Sequence, residues 1–112
     1  MTEFKEINVQ EPWFSFIKNG KKTIEGRLCK GTFKSFVKGD TIKIKNNDEN
    51  VIVKIKKINK YETFEEYLSQ EGLKRTLPNI KTIDEGCNIY YKYYTTEQEK
   101  EFKILAIYIK VI

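Results

Sequence analysis

Glu11 to Leu28 reads EPWFSFIKNGKKTIEGRL, and the fold turns on where its helix stops and its strand begins. Glu11-Pro12 opens a short helix, with Pro12 at the first helical position and Gly20 just past the last turn, the favoured places for those two residues. Trp13, Phe16 and Ile17 share one face of that helix and are expected in the core. From Lys22 to Leu28 the chain runs extended, with Thr23, Glu25 and Arg27 on one side and Ile24 and Gly26 on the other. The charges Lys21, Lys22, Glu25 and Arg27 in this run have two readings. On an exposed strand, Glu25 and Arg27 form a surface ion pair worth roughly 0–1 kcal/mol. In a sheltered mouth the charges are partly desolvated, and persist only as a mutually neutralising network or with a bound partner. There a partly buried Lys22 beside Glu25 is a candidate proton shuttle, and Gly26 leaves backbone open to close approach.

Outward from this stretch, residues 4–9 read as a first strand. Downstream, the loop CKGTFKSFVKGD leads to a strand over Thr41–Lys45. The turn NNDEN joins that strand to a second over Val51–Ile58, as a hairpin. Lys56-Lys57-Ile58 breaks the alternation of Val51, Val53 and Ile55, and a bulge there restores the burial of Ile58. In the second half the period becomes helical. Thr63-Phe64-Glu65-Glu66 is a capping box for a helix closed by Gly72. Thr82-Ile83-Asp84-Glu85 repeats the device, followed at helical spacing by Ile83, Cys87, Tyr90, Tyr91 and Tyr94. The run YYKYY supplies packing with one or two rings free to face a cleft, and Thr96-x-x-Glu99 caps a last short turn. The terminal KILAIYIKVI is apolar on both faces, as a strand in the middle of a sheet is. Five strands among short helices predict an α+β fold built on a small closed or nearly closed β-barrel, with an open mixed sheet as the alternative.

Composition sets the outer bounds. At 112 residues the chain suits a single domain, 1–112, with one modest core. Its sequence has no apolar run of the roughly 18–20 residues that span a membrane, and MTEFKEINVQ does not resemble a secretory signal. A cytoplasmic or nuclear protein that is not secreted is expected, as a monomer without membrane partners. Cys29 and Cys87 read as free thiols. With no histidine there are too few ligands for a zinc site, so no metal and no cofactor are expected. Any general base must come from Lys, carboxylate, Tyr, Ser or Thr. The net charge of +5 is uneven: residues 1–60 carry 14 Lys/Arg against 7 Asp/Glu, and residues 61–112 carry 7 against 9. A basic face suits nucleic acid. Because 19 of the 21 basic residues are Lys, A/T-rich coding accounts for part of that excess, though not for Arg27.

The sequence resembles the ASCH domain family, small relatives of the PUA superfamily. Gly20, Lys22, Glu25 and Arg27 match all four positions of its hallmark Gly-x-Lys-x-x-Glu-x-Arg. The likeness continues through VKGDTIKIKN, YETFEEYLSQEGL, LPNIKTIDEG with YYKYY, and AIYIKVI. It implies a PUA-like β-barrel of five or six strands, with a cleft that binds RNA or a nucleoside. Lys22 and Arg27 would contact phosphate, ribose or a base edge, Glu25 would accept from an exocyclic amine or orient Lys22, and Trp13 or Tyr94 would stack on the base. Some members resemble amidohydrolases of N4-acetylcytidine that use a Lys, a Thr and a Glu. Lys22 matches that Lys, but the Thr position, three residues on, holds Glu25. Thr23 is displaced by two residues, and Glu71 is the nearest candidate for the acid. A Lys22/Glu25 pair activating water, with Arg27 stabilising an oxyanion, is an alternative chemistry. A ribonuclease and a protein-interaction or regulatory module are further alternatives.

Overall fold

The computed structural model describes residues 5–112. Strand β1 (Lys5–Asn8) is followed by helix α1 (Trp13–Lys18), β2 (Ile24–Leu28), a 3-10 turn over Gly31–Ser35, and the hairpin β3 (Thr41–Asn46) and β4 (Glu49–Tyr61). Helices α2 (Phe64–Glu71), α3 (Leu73–Thr76), α4 (Ile83–Tyr91) and α5 (Thr96–Phe102) precede the last strand, β5 (Ile104–Val111). The strand order is β1-β3-β4-β5-β2, with β1 parallel to β3 and the other neighbours antiparallel. Phe4, the first residue of the strand expected over 4–9, lies outside the described residues.

The barrel expected from the sequence is realised as a mixed sheet curled into a half-barrel, with the five helices packed around it. Its two edges, β1 and β2, are short, four and five residues, and a side chain spans between them. Arg27 Nη2 donates to the Asn8 carbonyl at 2.6 Å, so one guanidinium ties together the strands that backbone pairing leaves at opposite ends of the sheet.

Strand β5 is buried on both faces, as its two-sided apolar pattern requires. Leu105, Ile107 and Ile109 join Ile42, Ile44, Val53, Ile55, Phe14 and Ile17 on the inner face. Ile104 and Ala106 pack with Ile24, Leu28, Phe64, Tyr67 and Leu68 under the helices. The register of β4 on β5 shifts between Ile55 and Lys57, the expected bulge, and Ile58 packs against the inner cluster. Helix α1 corrects one expectation. Phe14 and Ile17, three apart, are its fully buried residues, while Trp13 and Phe16 stay partly exposed. Pro12 takes the cap position, and Trp13 packs against the edges of both core clusters.

The helix starts follow their caps. Thr63 accepts from Glu66 N and Thr82 from Glu85 N, each satisfying an orphan donor of the first turn. The last cap sits one residue earlier than expected. Thr95, not Thr96, accepts from Gln98 N, and the Gln98 side chain returns to Thr95 N. Glu99 is therefore free to turn inward, where it accepts from Phe64 N at 2.7 Å and from the Tyr91 hydroxyl at 2.9 Å. It thereby pins α5 to the start of α2 and the end of α4. The single-turn helix α3 had no sequence signal. It follows Gly72, whose φ of +87° reverses the chain and carries the Thr76 carbonyl back toward β2.

Candidate functional site

Register on β5 decides where the charged strand points. Glu25 pairs with Ile107 and Arg27 with Leu105, both residues of the inner cluster, so the two side chains enter the half-barrel rather than solvent. The exposed-strand reading fails on this point: Glu25 is 7% exposed and Lys22 2%.

Lys22 Nζ donates to the carbonyls of Ile24, at 2.7 Å, and Thr76, and lies 3.3 Å from Glu25 Oε1. Three acceptors surround three protons, the arrangement of a held ammonium. Burial pulls the Lys22 pKa below its usual value, and the Glu25 carboxylate opposes that pull. Burial by itself would raise the Glu25 carboxyl. The Arg27 guanidinium, with Nε 2.7 Å from Oε2, and the Lys22 ammonium outweigh it and hold the pKa below the usual value of 4.5. Arg27 is raised: burial would lower it, and Glu25 more than compensates. Two cations share one anion, and a single positive charge is left over at the mouth.

That mouth opens on a cleft of about 220 Å³ lined by Trp13, Tyr90, Tyr94, Glu25, Gly26 and Arg27, among others. The tyrosine wall is stiff. Phe64 stacks on Tyr90 with centroids 4.6 Å apart and on Tyr94 at 5.7 Å, and the Tyr90 hydroxyl meets that of Tyr67 at 3.1 Å. Arg27 lies over the Phe33 ring and uses two N–H groups, on Glu25 and Asn8. Three of its five N–H groups have no protein partner among the described residues.

The cleft also meets the free edge of β2. Thr23 O accepts from Ile109 N and Cys29 N donates to Lys103 O, which fixes the alternation of the ladder. Glu25 and Arg27 direct their backbone groups to β5, and Gly26 turns its N–H and C=O away from β5, toward the cleft. The reason for a glycine here is packing from behind: a Cβ on Gly26 would stand 2.6 Å from the Tyr67 hydroxyl and 2.7 Å from its ring.

Three other sequence candidates lie elsewhere. Gly20 and Thr23 line a separate depression beside Lys18 and Lys110, and Thr23 is fixed by backbone bonds to Arg75 and Ile109. Glu71 does not line the cleft. Its carboxylate accepts from Asn59 at 2.9 Å, from Tyr61 at 2.6 Å and from Tyr108, with Arg75 at 3.4 Å. Burial would raise its pKa, but the bonds from Tyr108, Tyr61 and Asn59 prevail and lower it. The sequence reading missed Asn8 and Thr76, which act through backbone carbonyls that no side-chain pattern announces. It also missed Tyr93, whose hydroxyl donates to Gln10 at 3.0 Å across the mouth. Among the described residues, no cluster of three His, Cys, Asp or Glu could hold a metal ion, and no helix is long and apolar enough to cross a membrane.

A family model described as ASCH domain matches residues 7–112. The chain is also similar to the crystal structure of hypothetical protein PH0355, at 37% identity and TM-score 0.91 over 98% of this chain and 100% of that one. A second likeness is the solution NMR structure of protein PF0455 from Pyrococcus furiosus, at 35% identity and TM-score 0.82 over 98% of each chain. No curated protein matches the chain.

Proposed function

Because the chain belongs to the ASCH domain family, whose members commonly bind RNA, we propose that it binds single-stranded RNA, or a modified nucleoside, in the cleft beside Arg27. The observation that supports this most directly is the partly used guanidinium at the mouth of an aromatic-walled recess. A base enters between Trp13 and the Tyr90/Tyr94 wall. Its edge meets the N–H and C=O of Gly26, and Arg27 takes a phosphate or ribose oxygen. Lys22 serves from behind, because its protons are committed to Ile24, Thr76 and Glu25. It sets the charge of the site by holding Glu25 ionised.

The amidohydrolase alternative is less well supported by the geometry. Glu25 occupies the place expected for the threonine nucleophile and is clamped by two cations, while Thr23 and Glu71 stand outside the cleft. Titration of fluorescein-labelled single-stranded RNA tests the binding proposal. Arg27→Ala is expected to weaken binding about tenfold or more, from roughly 1–3 kcal/mol for a lost charged contact. Equal affinity of the two proteins overturns the site.

A further inference from the structure

We infer that the site takes at least two consecutive nucleotides of a single strand, the second lying in a groove beside the cleft, so that the preferred ligand is an oligonucleotide rather than a free nucleoside. This rests on the binding proposal above.

The cleft's 220 Å³ falls below the roughly 300–1,000 Å³ of pockets that enclose drug-sized ligands, so it accommodates a single nucleoside-sized group. A polymer must leave it somewhere. A second depression begins at the same wall: Trp13, Ile89 and Tyr93 line both hollows. The groove runs on between the start of α1 and the loop after α3, past Phe16 and Ile80, with Lys92 at its rim.

Its surface has the composition of a stacking platform. Trp13 and Phe16 sit with ring centroids 6.0 Å apart, both partly exposed, and Tyr93 is 57% exposed. A contiguous apolar patch at the surface marks an interaction site, as single scattered residues do not. Bases stack on such rings in a sequence-tolerant way while a cation nearby follows the backbone. Lys92 is that cation. The acid in the groove, Glu11, has one carboxylate oxygen on Ser15 N at 2.9 Å and the other on Ser15 Oγ at 2.7 Å, which turns its charge toward its own helix. A nucleotide held in the cleft, with Arg27 on its phosphate or ribose, therefore passes its neighbour past Trp13 and Tyr93 onto Phe16.

Isothermal titration of the four nucleoside 3′-monophosphates and the corresponding dinucleoside phosphates tests this in the full chain. The best dinucleotide should bind about tenfold tighter than the best mononucleotide, in line with one added stacked base. Phe16→Ala and, separately, Ile80→Ser, neither of which lines the cleft, should each shrink that ratio to about threefold or less while mononucleotide affinity holds. Thermal melts identify a variant that has lost its fold, and the other then decides. Equal wild-type affinity for both ligand lengths overturns the second subsite and leaves the cleft proposal standing. A tenfold gap that survives in the folded variants also overturns it. Binding of neither ligand to wild type overturns both.

Discussion

Of the three buried glutamates, Glu25, Glu71 and Glu99, the first two are held in opposite ways. Glu25 is neutralised by full charges, Lys22 and Arg27, at the mouth of a cleft. Glu71 is held mainly by neutral donors, two phenols and an amide, with Arg75 at 3.4 Å on the half-exposed side. Both carboxyls are lowered despite burial, so equal burial does not separate them. What separates them is what remains after the carboxylate is satisfied. Around Glu71 two phenols and an amide point at the anion, while Arg75 donates chiefly to the Glu71 backbone carbonyl, at 3.1 and 3.0 Å, out at the surface. Around Glu25 an excess cation remains, with N–H groups to spare on Arg27. Spare donors at a concave mouth suit the binding site proposed above, whereas the phenols and amide spent on Glu71 make a lock between α2 and the sheet.

The sharpest way to break this contrast is to neutralise each carboxylate without changing its size. Glu25→Gln leaves two buried cations without an anion and is expected to cost about 3–5 kcal/mol. Glu71→Gln keeps an acceptor for the phenols and should cost about 1–3 kcal/mol. Urea unfolding of both variants measures the difference, and equal losses would mean that the two sites are the same kind of structure.

The two arginines offer a second test. Arg27→Ala should lower stability by about 2–3 kcal/mol, since the Glu25 pair and the β1–β2 bridge both go, and should weaken RNA binding as well. Arg75→Ala, whose side chain is 50% exposed, should cost about 0–1 kcal/mol and leave RNA affinity unchanged. Loss of RNA binding in Arg75→Ala would shift the interface to the Glu71 side.

The smallest expected effects are in pH dependence. The lowered pKa of Glu25 means that its contribution is complete above the usual value of 4.5 and is lost as pH falls through the folded pKa below it. Glu71 adds to the same acid limb. The Glu71 group also has an alkaline counterpart. Tyr61, pushed up to about 12 by burial and by Glu71, contributes fully below pH 10 and loses that contribution as pH rises through 12. Chemical unfolding across pH should show a flatter acid limb in Glu25→Gln and a flatter alkaline limb in Tyr61→Phe, the latter by about 1 kcal/mol. An alkaline limb that persists unchanged in Tyr61→Phe would remove the phenol from the lock.

Much of this organisation was legible because it is local. Thr63 and Thr82 announce their helices through donors three residues away, Gly72 ends α2, and Lys56-Lys57 marks the bulge in β4. The spacing of Lys22, Glu25 and Arg27 resembled a family hallmark, and these three do meet at one cleft. The misreadings have a common cause. Trp13 and Phe14, or Thr95 and Thr96, differ by one position, and only the neighbour on the other side of the contact chooses between them. Glu99 is read as a local cap until Phe64 and Tyr91 are placed beside it. Gly26 reads as room for a ligand until Tyr67 is found behind it.

The sequence by itself determined the elements, their ends and the run of charges, since period, caps and turn residues act over a few residues of chain. The tertiary structure alone decided the use of those charges. Pairing Glu25 with Ile107 turns the carboxylate inward, while Asn8 and Thr76, 19 and 54 residues from the side chains they engage, supply acceptors through backbone. Such partners are set by the curl of the sheet, and no spacing along the chain encodes them.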